Sequence, residues 1–438
     1  MNMKIFHVGK RILAHELISG SLYLFLGAVV SSFLAFLLNL FLARNLVPSD
    51  YGIFASLISL IILITIPALS INTIIVRFAT DYFSKGEMGK GAKLYKETLK
   101  ILSFFSLLIF GIFVLLSFPI MSFLHIDNIW YVILAGLIIA LSYITVINTA
   151  FLQSLLKFNF LSFVNVASAL IRLLSGVFLI ILGFRVFGGL FAIISMSIVS
   201  FVLAFIPLRF VLREKGGTTS ISGKEIFSYA IPTTVAIFFL TSFTSMDVIL
   251  VKHFFNSSDA GLYGGLSLIG KVIYYFTGPI TMVMFPLLIK RHTRGENFNN
   301  LFYLAFMLLT LSSFALTIFY YMFPKFVINF FLGGGEYLSA VPYLGFFAIF
   351  ITVFNMLTIL VSFFLSIKKT KVYSAVVMGA ILQTILIFLF HKSFFQIIGV
   401  SLLASGLVLI ILLIYYVKLF VNIKNIGEII SIINNPQG

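Results

Sequence analysis

The residue types that carry most enzyme chemistry are sparse and scattered in this chain. There is no cysteine, which excludes disulfides and thiolate chemistry. The six histidines lie far apart, and none stands three or four residues from another, the spacing that would help one helix face hold a metal ion. The sequence has no Asp-x-Asp pair, the usual acidic metal site of a sugar-nucleotide transferase. We therefore expect no metal site, no cofactor and no catalytic centre.

The clearest candidates for chemistry are a few charges within or beside long apolar stretches. Arg172 and Lys271 are the basic residues inside such stretches, and Asp247 is the one acid well inside them; Arg44 and Arg77 lie at stretch ends. A charge at the centre of a membrane costs about 2.5 to 3.5 kcal/mol by insertion scales, so it usually faces a cavity or a partner. Arginine suits phosphate because its guanidinium donates two parallel hydrogen bonds.

The elements that must position these charges are membrane-crossing helices. Of the 438 residues, 61% are hydrophobic and 10% are charged, against about 25% charged in an average soluble protein. The apolar residues form blocks of roughly 20 to 27, long enough as helices to cross a hydrocarbon core about 30 Å thick. These blocks lack the alternation of polar and apolar residues found in membrane barrels. The sequence therefore predicts an all-α integral membrane protein.

We predict about twelve transmembrane helices in two six-helix bundles. The N-lobe covers 17–212 and the C-lobe 226–421, with an interfacial segment at 1–16, a cytoplasmic linker at 213–225 and a cytoplasmic tail at 422–438. The predicted spans are 17–42, 51–76, 99–124, 129–153, 160–183, 188–212, 226–251, 262–289, 300–323, 341–366, 373–391 and 394–421.

The placement of basic residues gives the expected orientation. With the N-terminus in the cytoplasm, 22 of the 29 Lys and Arg residues lie on the cytoplasmic side and five on the outer side, which fits the positive-inside rule. Both termini are then cytoplasmic, and we expect a multi-pass protein of the plasma membrane. This asymmetry also accounts for the net charge of +16 without a nucleic-acid partner.

The two halves of the chain share a helix hairpin. The segments ending at Leu57 and Leu266 align at a separation of 209 positions, which matches the turn residues Ser49, Asp50 and Gly52 with Ser258, Asp259 and Gly261. Six helices return the chain to the same side, so the halves share one orientation. Their pseudo-twofold axis then runs along the membrane normal, an arrangement that suits alternating access through a central cleft.

Two further features of the hairpins have structural and functional interpretations. Pro67 and Pro279 fall in the second helix of each hairpin, where proline breaks the helical hydrogen bonding. Paired breaks point to hinges beside a transport site, although a passive kink explains them equally well. The Ser-Asp pairs precede long helices and are expected to cap their free N–H groups.

At this hairpin the chain resembles the polysaccharide-biosynthesis flippases of the multidrug/oligosaccharidyl-lipid/polysaccharide exporter superfamily, often called Wzx-like proteins. The matching segments are Leu42 to Gly52, Ser258 to Tyr263 and Met284 to Pro286, together with Arg77 and the basic segment after it. The resemblance implies transfer of a polyprenyl-(pyro)phosphate-linked oligosaccharide from the inner to the outer leaflet. It does not imply which sugar is carried.

In this interpretation Arg44, Arg77, Arg172 and Lys271 line a cationic cleft that attracts the diphosphate, and Asp247 carries a proton or sodium ion. Each residue also has a structural explanation. Arg44 can extend its charge to the interface between lipid and water. Arg77 can be one of the cytoplasmic charges that set the orientation of the protein, and Arg172 can donate hydrogen bonds to backbone carbonyls. Asp247 and Lys271 can form an ion pair between the seventh and eighth helices.

Two other function classes are weighed against the flippase. A drug or cation antiporter of the same superfamily should place acids in its cleft, whereas the charges inside the predicted spans are two basic and one acidic. A membrane glycosyltransferase or polymerase should show an acidic metal site or a large basic outer loop, and neither is predicted. The expected partners are the lipid-linked sugar, membrane lipids and, as an open alternative, proteins of a glycan-assembly complex.

Overall fold

The computed structural model describes residues 2–214, 224–293 and 296–420, and the regular structure within them is helical. Short 3₁₀ turns at Ile206–Leu208, Gly335–Ala340 and Thr370–Val372 link some of the helices. The helices are α1 (Asn2–Asn45), α2 (Pro48–Ser84), α3 (Met88–Leu115), α4 (Ser117–Phe123), α5 (Ile129–Ser154), α6 (Phe158–Ile181), α7 (Arg185–Phe205), α8 (Phe210–Arg213), α9 (Lys224–Ser242), α10 (Met246–Phe254), α11 (Ser257–Thr293), α12 (Asn299–Met322), α13 (Pro324–Leu332), α14 (Val341–Ser366), α15 (Tyr373–Leu389) and α16 (Phe394–Phe420).

The described helices include enough long apolar segments for a multi-pass membrane protein. Ten are long and apolar enough to cross a membrane, and α9 with α10 forms an eleventh if the bent pair counts as one span. The apolar helix α15 is shorter, at 17 residues. The predicted fold class, an all-α integral membrane protein, is therefore confirmed. The tail at 422–438 and most of the linker, 215–223, lie outside the described residues.

The outward faces of the helices are apolar because lipid rather than water is their solvent. On α3, for example, Phe104, Leu107 and Leu115 are all largely exposed. At the start of α5, the Asn128 side chain accepts a hydrogen bond from the Trp130 N–H at 3.0 Å, and the indole of Trp130 is exposed. Exposed aromatic rings at helix ends are typical of the boundary between lipid and water.

Unit 1, one of two compact units, comprises Met1–Ala230 and Phe255–Gly264. Within it α6 packs on α1 and α7, and α5 packs on α2, α3 and α7. One of its buried polar links starts at Tyr95, whose hydroxyl donates to Asn148 Oδ1 at 2.7 Å, while Asn148 Nδ2 donates to the Phe201 carbonyl at 2.9 Å. The Tyr95 ring also packs edge-on against Phe151, with ring centroids 5.0 Å apart.

Unit 2 comprises Ile231–Phe254 and Gly265–Gly438. Here α14 packs on α12 and α16, and α15 packs on α10 and α16. Buried polar side chains join three helices: Asn355 Nδ2 donates to Thr277 Oγ1 at 3.1 Å and to Ser313 Oγ at 3.3 Å. The hydroxyls of Thr317 and Thr352 lie 2.6 Å apart. Polar groups buried in a membrane protein need such partners because lipid offers none.

Candidate functional site

A break between α9 and α10 interrupts the first membrane-crossing helix of unit 2. The two segments meet at an angle of 44°. At the break the amides of Phe243, Thr244 and Ser245 each donate to the carbonyl three residues earlier, at 3.2 to 3.3 Å, instead of four. Gln383 Nε2 of α15 donates to the Phe243 carbonyl at 2.9 Å. This side chain satisfies part of the backbone that the break leaves without a helical partner.

The short helix α10 carries a buried charge near each end. Asp247, in its first turn, is 0% exposed, and Lys252, in its last turn, is 1% exposed. One carboxylate oxygen of Asp247 accepts from the Val248 N–H at 2.8 Å. An acid at the N-terminus and a base at the C-terminus both oppose the helix dipole, so α10 stabilises its own two charges.

The other charged candidate of unit 2 is Lys271 on α11, which is half-buried. Asp247 acts on its ammonium electrostatically. The sequences of α12, α14 and α15 contain no Asp, Glu, Lys or Arg that could add to this group. Lys271 and Asp247, the two candidate site residues of the predicted C-lobe, both belong to unit 2.

In unit 1 the candidate inside the membrane-crossing region is Arg172, near the middle of α6. The side chain is half-buried, and its Nε atom is screened from solvent. Serines lie one turn away on either side, at Ser168 and Ser175, and Ser175 Oγ lies 2.8 Å from Ser195 Oγ of α7. Arg172 thus sits on a strip of polar groups in an otherwise apolar helix.

The structure separates the other two candidate cations, Arg44 and Arg77, which also belong to unit 1. Arg44 is exposed in the last turn of α1. Arg77 is exposed on α2 and follows Pro48 by a helical rise of about 43 Å. Because Pro48 begins the helix directly after α1, Arg44 and Arg77 stand near opposite ends of α2. One phosphate group cannot bridge both residues within this unit.

The helices that contain the two candidate hinge prolines are continuous in the structure. Pro67 lies inside α2 and Pro279 inside α11, both half-buried. Near Pro67 the carbonyl of Ile64 accepts a hydrogen bond from the Tyr143 hydroxyl at 2.7 Å, which provides a partner close to the proline. The break in a helix falls instead at Phe243 to Ser245, where the sequence has no proline.

The prediction that both Ser-Asp pairs cap their helices is wrong at Asp50. The N-cap residue of α2 is Val47, and Asp50 accepts a hydrogen bond from Arg185 Nε at 2.6 Å. At α11 a reciprocal pair does form: Asn256 Oδ1 accepts from the Asp259 N–H at 2.8 Å, and Asn256 Nδ2 donates to Asp259 Oδ2 at 2.7 Å. Asparagine thus provides the cap that was expected from the Ser-Asp pair.

The two matching turns meet inside unit 1, glycine against glycine. A Cβ on Gly52 would lie 2.7 Å from the Gly261 nitrogen, and a Cβ on Gly261 would overlap the Pro48 carbonyl. No larger residue fits without moving the backbone. The matched glycines of the two hairpins therefore permit a close crossing of their helices.

The sequence prediction missed Lys252, which it assigned to an outer connection. The alignment of the two hairpins gave no signal for it, because Lys252 stands 209 positions after Ala43, and Ala43 also lies just past its predicted span. Among the described residues there is also no group of three His, Cys, Asp or Glu side chains that could hold a metal ion.

Comparison with solved structures gives the fold a context. The chain matches an inward-facing multidrug resistance MATE family transporter of the MOP superfamily with a TM-score of 0.70 and 12% identity, covering 87% of this chain and 92% of that one. It matches the lipid II flippase MurJ in an inward closed conformation with a TM-score of 0.67 and 16% identity, covering 90% and 87%. At these identities the likeness establishes the fold.

Comparison with known sequences gives the family. No curated protein matches the chain significantly. The family described as "Polysaccharide biosynthesis protein" matches residues 41–342, well over half of the chain, and this range includes both matched turns as well as Asp247, Lys252 and Lys271. This match identifies the chain as a member of the polysaccharide biosynthesis protein family.

Proposed function

We propose that this protein is a flippase that moves a polyprenyl-(pyro)phosphate-linked oligosaccharide from the inner to the outer leaflet of the plasma membrane. The N-lobe and C-lobe alternate between inward and outward access, and both termini face the cytoplasm. No covalent step is involved. The polyprenyl chain stays in lipid while the sugar and phosphate groups cross through a hydrated, cationic cleft.

The observation that carries this proposal is a half-buried cation in the membrane-crossing part of each unit of a polysaccharide biosynthesis protein. Arg172 serves unit 1 and Lys271 serves unit 2. A charge at that depth is costly unless it meets a partner, and the phosphates of a lipid-linked sugar are suitable partners. The exposed residues Arg44 and Arg77 attract the same phosphates near the two ends of the path.

Two sources of energy fit the proposed transport. Moving two negative charges outward against 100 mV, inside negative, is favourable by roughly 4.6 kcal/mol. Asp247 is the candidate for coupling transport to a proton or sodium ion, because its carboxylate is fully buried in unit 2. The paired prolines Pro67 and Pro279 are the proposed hinges for the bending of α2 and α11.

The direct test is reconstitution of the purified protein with a fluorescently labelled polyprenyl-diphosphate sugar, with transfer measured by access of an external quencher. Arg172→Ala and Lys271→Ala should each slow transfer about tenfold or more, because each loses a charged hydrogen bond to phosphate. Ile62→Ala, at the position that matches Lys271 in the other hairpin, is the control. Normal transfer by both charge variants would refute the cationic path.

A cation-coupled multidrug antiporter is the second candidate, favoured by one observation. The buried carboxylate of Asp247 is the kind of group that a cationic drug or coupling ion would use. Uptake of a fluorescent organic cation into the same vesicles distinguishes the candidates. The flippase predicts transfer of the lipid-linked sugar and no uptake that depends on Asp247.

A further inference from the structure

Two segments of unit 1 that are far apart in the sequence meet where α3 begins and α7 ends. Lys96 Nζ of α3 donates a hydrogen bond at 3.1 Å to the carbonyl of Glu214, the residue after α8. The ring centroid of Tyr95 lies 6.4 Å from that of Phe205 at the end of α7. Val211 of α8 is fully buried in the same apolar cluster as Tyr95. This packing holds the two segments together and fixes which side of each faces outward.

The exposed face of α3 changes from basic to apolar within one turn. Lys96 and Lys100 are exposed and stand four residues apart, so they share a helix face. The next positions on that face are Phe104 and Leu108, which are 66% and 48% exposed. Large apolar side chains that a membrane-crossing helix turns outward contact lipid. The hydrocarbon core of the membrane therefore begins between Lys100 and Phe104.

The chain that leaves α7 shows the same change in the opposite direction. Val202 and Ile206 are exposed apolar side chains, and the exposed residues Arg209 and Arg213 follow them. The hydrogen bond from α3 to the Glu214 carbonyl joins the two segments at their basic ends. These basic ends therefore lie side by side at the edge of the hydrocarbon core, which is the level of the lipid headgroups.

The two segments together present four exposed cations, which we call the basic patch: Lys96, Lys100, Arg209 and Arg213. Two acids stand next to these residues in the sequence. The carboxylate of Glu97 pairs with Lys93 Nζ at 3.6 Å, which leaves Glu214 as the acid to set against the four cations. The positive-inside rule requires basic residues on one side of the membrane, but it does not require them to converge from two distant segments. The convergence favours a bound anion.

We propose that the basic patch binds the phosphate of phosphatidylglycerol from the surrounding bilayer, with the acyl chains of this lipid along the exposed apolar faces of α3 and α7. Arginine donates paired hydrogen bonds to phosphate oxygens, and lysine adds a compact charge. Phosphatidylcholine carries its own cation, so a patch with excess positive charge prefers the anionic lipid. This binding does not depend on which substrate the protein transports.

Native mass spectrometry of the purified protein in detergent tests the proposal, with phosphatidylglycerol and phosphatidylcholine of identical acyl chains added in equal amounts. The wild type should retain phosphatidylglycerol in preference. Lys100→Gln and Arg209→Gln should each weaken its binding about fivefold, and the double variant about 25-fold, because each removes one cation from the headgroup level. The double variant Lys100→Arg with Arg209→Lys keeps both charges and should restore most of the binding.

The matched control is Lys85→Gln, after the end of α2. Lys85 has 59% of its side chain exposed, but it already pairs with Asp81 at 2.7 Å, so its loss should leave phosphatidylglycerol binding unchanged. Equal retention of the two lipids by the wild type, or the same loss in Lys85→Gln as in Lys100→Gln, would overturn the proposal. Displacement of phosphatidylglycerol by a smaller amount of undecaprenyl phosphate would assign the patch to a polyprenyl carrier instead and would also overturn it.

Discussion

The two copies of the repeated hairpin share their turn but differ in the charge of their interior positions. In unit 2 three of these positions are charged, and in unit 1 all three matching positions are apolar. The matched pairs are Leu38 with Asp247, Ala43 with Lys252, and Ile62 with Lys271. The first two pairs are fully or almost fully buried in both copies.

This difference distinguishes residues that the hairpin requires in order to fold from residues that it does not. The apolar copy demonstrates that a helix hairpin of this kind folds without interior charges. Charge buried in a membrane protein costs free energy, so its presence in one copy alone is better explained by a function of unit 2. In unit 1 the buried side chain of Asn148 is neutral, and it bonds to the Phe201 carbonyl and the Tyr95 hydroxyl.

Introducing a charge into the apolar copy should produce the largest effect. Leu38 is fully buried, and its Cδ1 atom lies 2.5 Å from the place that a Cβ on Gly176 of α6 would take. Leu38→Asp should destabilise the protein by about 4 kcal/mol or more, because it buries a charge without a partner. Leu38→Asn is the isosteric neutral control and should cost less. Thermal unfolding in detergent checks this, and equal losses for Asp and Asn would contradict the comparison.

Closing the space at the glycine crossing should have the next largest effect. Gly261→Ala places a Cβ on the Pro48 carbonyl, so the two hairpin turns must separate; we expect a loss of about 3 kcal/mol. Gly111→Ala, inside α3 with nothing within 4 Å of the added Cβ, should instead gain about 0.5 to 1 kcal/mol. The measurement is the midpoint of thermal unfolding. A stable Gly261→Ala protein would mean that the turns do not cross this closely.

Replacing a buried asparagine should destabilise the protein less than these changes, and the loss should differ between the two units. Asn148→Ala deprives both the Tyr95 hydroxyl and the Phe201 carbonyl of a partner and should cost about 2 kcal/mol. Asn355→Ala should cost about 1 kcal/mol, because Thr277 still donates to the carbonyl of Ile273. Chemical unfolding of the two variants in the same detergent gives the two losses in unfolding free energy. The reverse order would show that the polar cluster of unit 2 is the more tightly coupled.

The ion pair at the start of α2 should contribute least. Arg185 keeps 64% of its side chain exposed although Asp50 is nearly buried, so Arg185→Ala should cost about 0.5 to 1 kcal/mol. Asn256→Ala, which removes the reciprocal cap from the matching turn, should cost about 1 kcal/mol. Raising the salt concentration should reduce the first loss more than the second. Equal salt dependence would indicate that Arg185 acts by packing rather than by charge.

Much of the fold follows from the sequence because one physical rule dominates it. Long apolar helices are the stable form of the chain in lipid, so apolar stretches of that length predict spans directly. The span predicted at 341–366, for example, has the same bounds as α14. The break after Ser242 could not be predicted in this way, because no proline or glycine marks it and the apolar run continues on both sides. Its location depends on tertiary contacts such as that between Gln383 and Phe243.

The candidate site was predictable in its residue types and less so in its arrangement. Depth within an apolar block was enough to single out Arg172, Lys271 and Asp247. The burial of Lys252 was missed because a lysine near a span end usually extends toward water. Which cation meets which anion depends on helix rotation, and periodicity is weak where a helix is apolar on every side.

The exposed indole of Trp130 gives the molecule a built-in optical probe. It is the one tryptophan in the chain, and it lies next to Tyr131, whose ring packs against Phe187 with centroids 4.5 Å apart. Intrinsic fluorescence excited at long wavelength therefore comes from a single known place at the start of α5. Quenching by brominated lipids would measure how deep that end of the helix sits, without any dye or added label.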